Sequence, residues 1–425
     1  MSSSSLQHKR LSHAQLYLWI GIAVVSLGRG LFVAIKPENS PDLKLVYMWL
    51  RMWLWQGSDV YQSAATTGAN YPPHAIVALS PLTLIPETWV AFVWALLNLA
   101  LAPLVGYMAF RALKPGAPRR AALLPCAMFL AWASLRTGIS NGQFTLLVLG
   151  AGLLAYLLAE KQPLWGGFFL ALALMKPHIG GAFLLWALLT KRWKMTLVAC
   201  VWIGVGVCLF SLRLGESPFE TVSGYLAWLQ HQFGRGVAAE GSTALRIVEL
   251  RPFIWFLIPH EVWANRVHQL LLIILLACVG MAAWVKSKLD CRERNAVILQ
   301  LCCLWLLMSV FHNPYDSILL LPVLMGLWPA SVRQPLETKQ WSNEVALWVL
   351  QFAMVVELPT IWWKLSQTVD LSGFNWAGIL LTHFDRVLLL YLFIHILNRV
   401  RFSWLAQRES HGAGEMLAQP STQNP

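Results

Sequence analysis

Apolar stretches of about membrane-spanning length recur along this chain, and they constrain its fold more than any other feature. The first runs from Leu16 to Ile35, and eleven more fall at roughly 88–112, 120–135, 143–159, 164–176, 179–190, 195–213, 265–285, 295–311, 317–331, 343–363 and 385–399. A helix of about 20 residues crosses the ~30 Å hydrocarbon core of a bilayer. A backbone inside lipid must satisfy its own hydrogen bonds, which helices do. Of the 425 residues, 57% are hydrophobic and only 12% charged, and mean hydropathy is +0.56. A water-soluble fold cannot hide that much apolar surface. The expected fold class is an all-α polytopic membrane protein: a bundle of about twelve transmembrane helices, both termini on one side, with interfacial helices in the first outer loop.

The net charge of +12 does not point to nucleic acid, because the basic residues gather in short segments between apolar runs. "RALKPGAPRR", "KRWK", "KSKLDCRER" and the terminal "RVR", with Lys9 and Arg10, gather 15 of the 32 Lys and Arg residues on one side. That side is expected to be cytoplasmic. The chain then divides into a cytoplasmic tail (1–14), a membrane domain (15–400) with outer loops at 37–87 and 214–264, and a second cytoplasmic tail (401–425). The first apolar run has no convincing cleavage site and reads as a retained helix. Cys126, Cys200, Cys208, Cys278, Cys291, Cys302 and Cys303 lie in or beside apolar runs, so no disulfide framework is implied, and the adjacent last two lack zinc-site spacing. No phosphate-binding glycine loop for a nucleotide occurs. The chemistry is expected to use a substrate delivered in the membrane.

The first outer loop carries an acid, Asp42, just before the helix-compatible run Leu43 to Trp55. Lys44 and Arg51 share one face of that run, and Trp49, Trp53 and Trp55 suit a helix lying among lipid headgroups. Asp is a preferred helix N-cap, which gives Asp42 a structural role. At an outer membrane face a carboxylate can also act as a general base, taking a proton from an acceptor hydroxyl while a lipid-borne group is transferred. The two roles are compatible. "NYPPHAIVALSPLTLIP" follows, too short to cross and expected to be re-entrant or interfacial.

Asp42 and Tyr47 after the first helix, "GSDVY" at 57–61, "YPP" at 71–73 with "SPLTLIP" behind it, "NGQFTLLVLG" at 141–150, "ALALMKPHIG" before "KRW", and "HNPYDSILLLP" at 312–322 occur in an order that resembles glycosyltransferase family 87. The likeness runs from about residue 16 to 330. It implies a GT-C-type fold and an inverting transferase that moves a sugar from a polyprenyl-phosphate donor to a hydroxyl on the non-cytoplasmic side. Similar members transfer mannose or arabinofuranose. An acid in the first outer loop is the presumed base, and Asp42 matches it. Two features depart from the pattern: His74 follows YPP, and Asp59 is a further acid in the loop, a candidate for substrate binding or for the base in place of Asp42. The partners implied are the polyprenyl-phosphate sugar, a lipid or glycan acceptor and membrane lipids; no cofactor or metal is required. The implied location is a bacterial cytoplasmic membrane.

Such chemistry needs a base on one side of the anomeric carbon and cations or hydrogen-bond donors on the other, where the phosphate departs. Lys176, His178, His312, Arg136, Arg246 and Arg251 are expected near that face. Lys176, at the tip of a hairpin of short apolar stretches, either snorkels to the headgroups or contacts phosphate. His312, Tyr315 and Asp316 either build a short turn or contact phosphate and sugar, with Asp316 orienting its neighbours. Asn141 and Gln143 either make a turn or bind substrate; Tyr71 either packs against Pro72 and Pro73 or contacts the sugar. "YLAWLQHQFGRG" and "STALRIVELRP" suggest an acceptor platform or an interfacial helix. A transporter would instead place ionisable or broken helices in corresponding positions of two halves, and a noncatalytic scaffold would lack the base.

Overall fold

The computed structural model describes residues 3–36, 40–62, 69–234, 249–285, 289–310, 312–328, 338–356 and 383–400. Among them there are helices and turns and no strand. In chain order the helices are α1 (Ser3–Ala34), α2 (Pro41–Arg51, continued by a wide turn over Met52–Gln56), α3 (Pro73–Leu79), α4 (Glu87–Leu113), α5 (Leu123–Leu130), α6 (Ala133–Asn141), α7 (Thr145–Leu158), α8 (Pro163–Ala173), α9 (Pro177–Leu189), α10 (Trp193–Leu214), α11 (Pro218–Gly234), α12 (Arg251–Leu257), α13 (Glu261–Trp284), α14 (Cys291–Ser309), α15 (Leu321–Leu327), α16 (Thr338–Val356) and α17 (383–400). Proline opens α2, α3, α8, α9 and α11, where its fixed φ suits a first turn and its missing N–H leaves nothing unpaired. Asp290 caps α14 by accepting from the Glu293 N–H at 2.7 Å. The polar start of the chain, read as a tail, continues α1 as far back as Ser3; the tail after 400 lies outside the described residues.

Twelve full crossings are not reached among the described residues. Four helices are long and apolar enough: 13–34 within α1, α4, α10 and α13. A fifth crossing is formed if α5 and α6, bent by 62°, count as one broken span. At 14, 11 and 13 residues, α7, α8 and α9 extend only about 16–21 Å, against a core of ~30 Å. Helix α14 is 19 residues long but begins with Arg292, Glu293 and Arg294, and most of it is buried against other helices. Hydropathy could not separate these cases, since an apolar face looks the same whether it meets lipid or protein.

The long loop between α1 and α4 packs inward more than expected. Of its three tryptophans only Trp55 is exposed; Trp49 and Trp53 are buried. Trp53 stacks on Phe210 of α10 and donates to its carbonyl, and Trp49 lies against Tyr71. Tyr47 donates to the Ile85 carbonyl at 2.9 Å. The loop is thus fixed to the bundle by protein contacts, with Lys44 and Arg51 on the exposed face as the spacing predicts. Helix α3 is short and buried and packs on α10, where Gly206 leaves room for His74.

Candidate active site

Four segments distant in sequence meet around one ammonium group. Ser40 has left-handed backbone (φ 58°, ψ 48°), and its hydroxyl reaches the Ala34 carbonyl (3.1 Å), strapping the start of α2 to the end of α1. Ser40 therefore holds the N-cap position and Asp42 sits within the first turn, which corrects the capping role read from sequence. A carboxylate there still faces the positive end of the helix dipole. Burial pushes the Asp42 carboxyl above its ordinary pKa; the Gln143 bond and the Lys176 charge oppose that rise and the Asp316 charge adds to it.

Gln143 is placed by the glycine before it. Gly142 ends α6 with φ +71°, and a Cβ there would stand 2.4 Å from the Leu43 Cβ, so only glycine lets this turn press against α2. The Gln143 amide then bridges two charges: Nε2 donates to Asp42 Oδ2, and Oε1 accepts from Lys176 Nζ at 2.8 Å. Its orientation is fixed, because a carboxylate only accepts and an ammonium only donates.

Lys176 lies in the tight turn between α8 and α9, made possible by Gly180, whose missing Cβ would meet the Ala173 carbonyl at 2.2 Å. The side chain is 7% exposed, so it does not snorkel to the headgroups. Besides Gln143, Nζ donates to Thr145 Oγ1 at 2.6 Å and Asp316 Oδ1 at 2.7 Å, and it lies 4.9 Å from the centre of the Tyr315 ring. An ammonium has three hydrogens. All three are engaged, so Lys176 offers a phosphate its charge but no spare donor. Thr145 in turn donates to Asp316 Oδ1 at 3.0 Å.

The turn carrying Asp316 holds the remaining polar groups. Oδ2 accepts from the Asn313 N–H (3.3 Å) and lies 3.3 Å from His178 Nε2 and 3.9 Å from His312 Nδ1. Asn313 also donates to the Tyr315 hydroxyl. A cavity of about 10 Å³ beside the network is lined by Asn98, Ser134, Gln143, Thr145 and Tyr315 among others. It has room for about one water molecule.

Of the residues singled out in the sequence, Asp42, Gln143, Lys176, His178, His312, Tyr315 and Asp316 come together. Others do not join them. Asp59 accepts from the Tyr61 N–H at 2.8 Å and holds its own turn, whereas Tyr71, packed between Trp49 and Phe144, borders the cluster closely enough to feel the charges of Asp316 and Asp42. Arg251 lies 3.7 Å from Glu249, and Arg246 lies outside the described residues. Sequence reasoning missed Thr145 and Ser40, along with a second buried group in which Arg386 of α17 donates to the Glu249 carbonyl (3.0 Å) and meets His383 (3.1 Å).

Residues 70–312, more than half of the chain, match the family model described as glycosyltransferase family 87. The chain belongs to glycosyltransferase family 87. It is therefore a membrane glycosyltransferase, as its ordered motifs suggested. Gln143, Thr145, Lys176, His178 and His312 fall inside the matched stretch; Asp42 precedes it, and Tyr315 and Asp316 follow it directly. No match was found among curated proteins or among solved structures.

Proposed function

We propose that this family 87 protein is a GT-C-type inverting transferase that moves a sugar, mannose or another hexose or pentose, from a polyprenyl phosphate to a hydroxyl acceptor. The acceptor is a lipid or glycan at the non-cytoplasmic face of a bacterial cytoplasmic membrane, with both chain termini in the cytoplasm. Asp42 takes the acceptor proton, the freed oxygen attacks the anomeric carbon opposite the phosphate, and the bond to the phosphate oxygen breaks as polyprenyl phosphate leaves. His178, half-open at the edge of the cluster, and His312 face the departing phosphate, with Lys176 supplying charge behind them. Tyr315 and Gln143 border the sugar.

The observation that carries this reading is the unbroken chain Asp42–Gln143–Lys176–Asp316, which ties a half-buried carboxylate to a cation and two imidazoles. A carboxyl raised by burial and set beside a cation is an arrangement that acid–base sites use. The test is sugar transfer by purified protein in lipid nanodiscs, with radiolabelled polyprenyl-phosphate mannose and a mixed membrane-lipid acceptor. Wild type is expected to transfer and a folded Asp42→Asn variant to lose at least a hundredfold, within the usual worth of a general base. Undiminished transfer by the variant would remove Asp42 from the chemistry.

A further inference from the structure

His178, His312 and Asp316 crowd three potential metal donors together in a way that hydrogen bonding explains only in part. His312 is fully buried, and its Nε2 lies 3.2 Å from the Leu306 carbonyl. A carbonyl only accepts, so Nε2 carries a proton, and in the neutral ring Nδ1 then presents a bare lone pair. That Nδ1 has no hydrogen-bond partner and faces Asp316 Oδ2 across 3.9 Å. A lone pair facing a carboxylate costs free energy unless a proton or a metal cation lies between the two, and only a metal cation can also be shared with a third donor. The same carboxylate oxygen is 3.3 Å from His178 Nε2, and the three donor atoms lie within 4.8 Å of one another.

Metal–nitrogen and metal–oxygen bonds are about 2.0–2.2 Å, so two bonds to one ion separate their donors by up to about 4.2 Å. The 3.3 and 3.9 Å gaps fit within that span, and a small rotation of the half-exposed His178 ring closes the third. Two imidazoles and one carboxylate form a donor set typical of divalent transition metals with coordination positions left open. The other oxygen of Asp316 is held by Lys176 and Thr145, the kind of outer support that orients a metal-ligating carboxylate.

Charge balance favours the same conclusion. Asp42, Lys176 and Asp316 sum to minus one, the ammonium has no free hydrogen, and the phosphate that must leave is itself an anion. We propose that His178, His312 and Asp316 hold one divalent transition-metal ion, Zn²⁺ or Mn²⁺, whose open positions receive phosphate oxygens of the donor. The phosphate part rests on the function proposed above, whereas the ion site does not.

The experiment uses the full-length protein without a polyhistidine tag, stripped with chelator and titrated with Co²⁺ while its visible absorption is followed. Zn²⁺ and Mn²⁺ are measured by elemental analysis after gel filtration. One ion per chain is expected, with Zn²⁺ displacing Co²⁺. His178→Ala and His312→Ala should each weaken binding tenfold or more, and Asp42→Asn should retain the ion. His178 is half-exposed, so its variant is the safer one should His312→Ala fail to fold. Wild type that binds no ion, or binding unchanged in folded His178→Ala, overturns the site. Transfer lost on stripping and regained with the ion supports its place at the phosphate, while full transfer by stripped protein overturns that place. One bound ion with no transfer from a polyprenyl-phosphate donor under any condition would leave the metal site standing and count against the proposed donor.

Discussion

Asp42 becomes a useful base only if its neighbours keep its pKa within working range. Burial raises it, and the Gln143 amide is the first of the two groups that hold it down. The base proposed here works as carboxylate, so transfer is expected to be lost as pH falls through the Asp42 pKa, about tenfold per pH unit below it. Gln143→Met removes the bond with little change of volume. The Asp42 carboxyl should then titrate higher, so the acid limb of the transfer rate moves to higher pH while the rate on the alkaline plateau falls less; a limb that stays in place would detach Gln143 from Asp42. The Lys176–Asp316 pair answers to a different rule, because both side chains are buried, at 7% and 2% exposure. Lys176→Met strands a buried carboxylate and is expected to cost about 3–5 kcal/mol. Adding Asp316→Asn should recover much of that stability in a denaturation series without recovering transfer. The acids, His312 and Lys176 were legible in the sequence because ionisable residues in apolar surroundings are few. Thr145 was not, since its role emerges only once the three hydrogens of Lys176 are counted in space.

At the scale of elements the site depends on two turns that only glycine permits. "NGQF" reads as a turn before a helix, and the sequence pattern reaches that far. It does not reveal that Gly142 lies against Leu43, one residue from the base, because that contact joins positions a hundred residues apart. Gly142→Ala would force a side chain into left-handed backbone, a strain of about 1–3 kcal/mol, and drive its Cβ into α2 as well. The expected result is a lower unfolding temperature in detergent together with at least tenfold slower transfer, because Gln143 shifts away from Asp42. An alanine variant with unchanged melting and rate would show that the turn does not set the site. The short helices α7 to α9 make the same point about legibility. Their apolar runs were visible, but whether they cross the bilayer depends on length and neighbours, and hydropathy carries neither. Likewise the buried Trp49 and Trp53 read as lipid-facing because an indole suits a headgroup layer and a protein core equally well.

For the whole molecule, the membrane class was written in composition, while the joining of distant segments was not. The C-terminal helices lie beyond the family match yet hold the body of the bundle: Trp132 at the α5–α6 bend donates to Gln351 of α16 (3.0 Å), and Arg386 of α17 reaches Glu249. The functional reading also requires an orientation in the membrane, and the basic loops supply a testable one. If "RALKPGAPRR" is cytoplasmic, then α4 crosses to the far side, where α2 and Asp42 lie. Gln56 and Gly116 are exposed positions on the two sides of that crossing. With Cys291→Ser as background, Gln56→Cys is expected to react with a membrane-impermeant maleimide in intact cells stripped of their outer layers. Gly116→Cys should react only after lysis. Cys200 and Cys208, though not covered by protein, sit on α10, where hydrocarbon keeps a polar reagent out. The opposite labelling pattern would place Asp42 in the cytoplasm and take the outward-facing lipid-linked donor with it. The expected pattern leaves the base and its histidines on the side where the acceptor must be met.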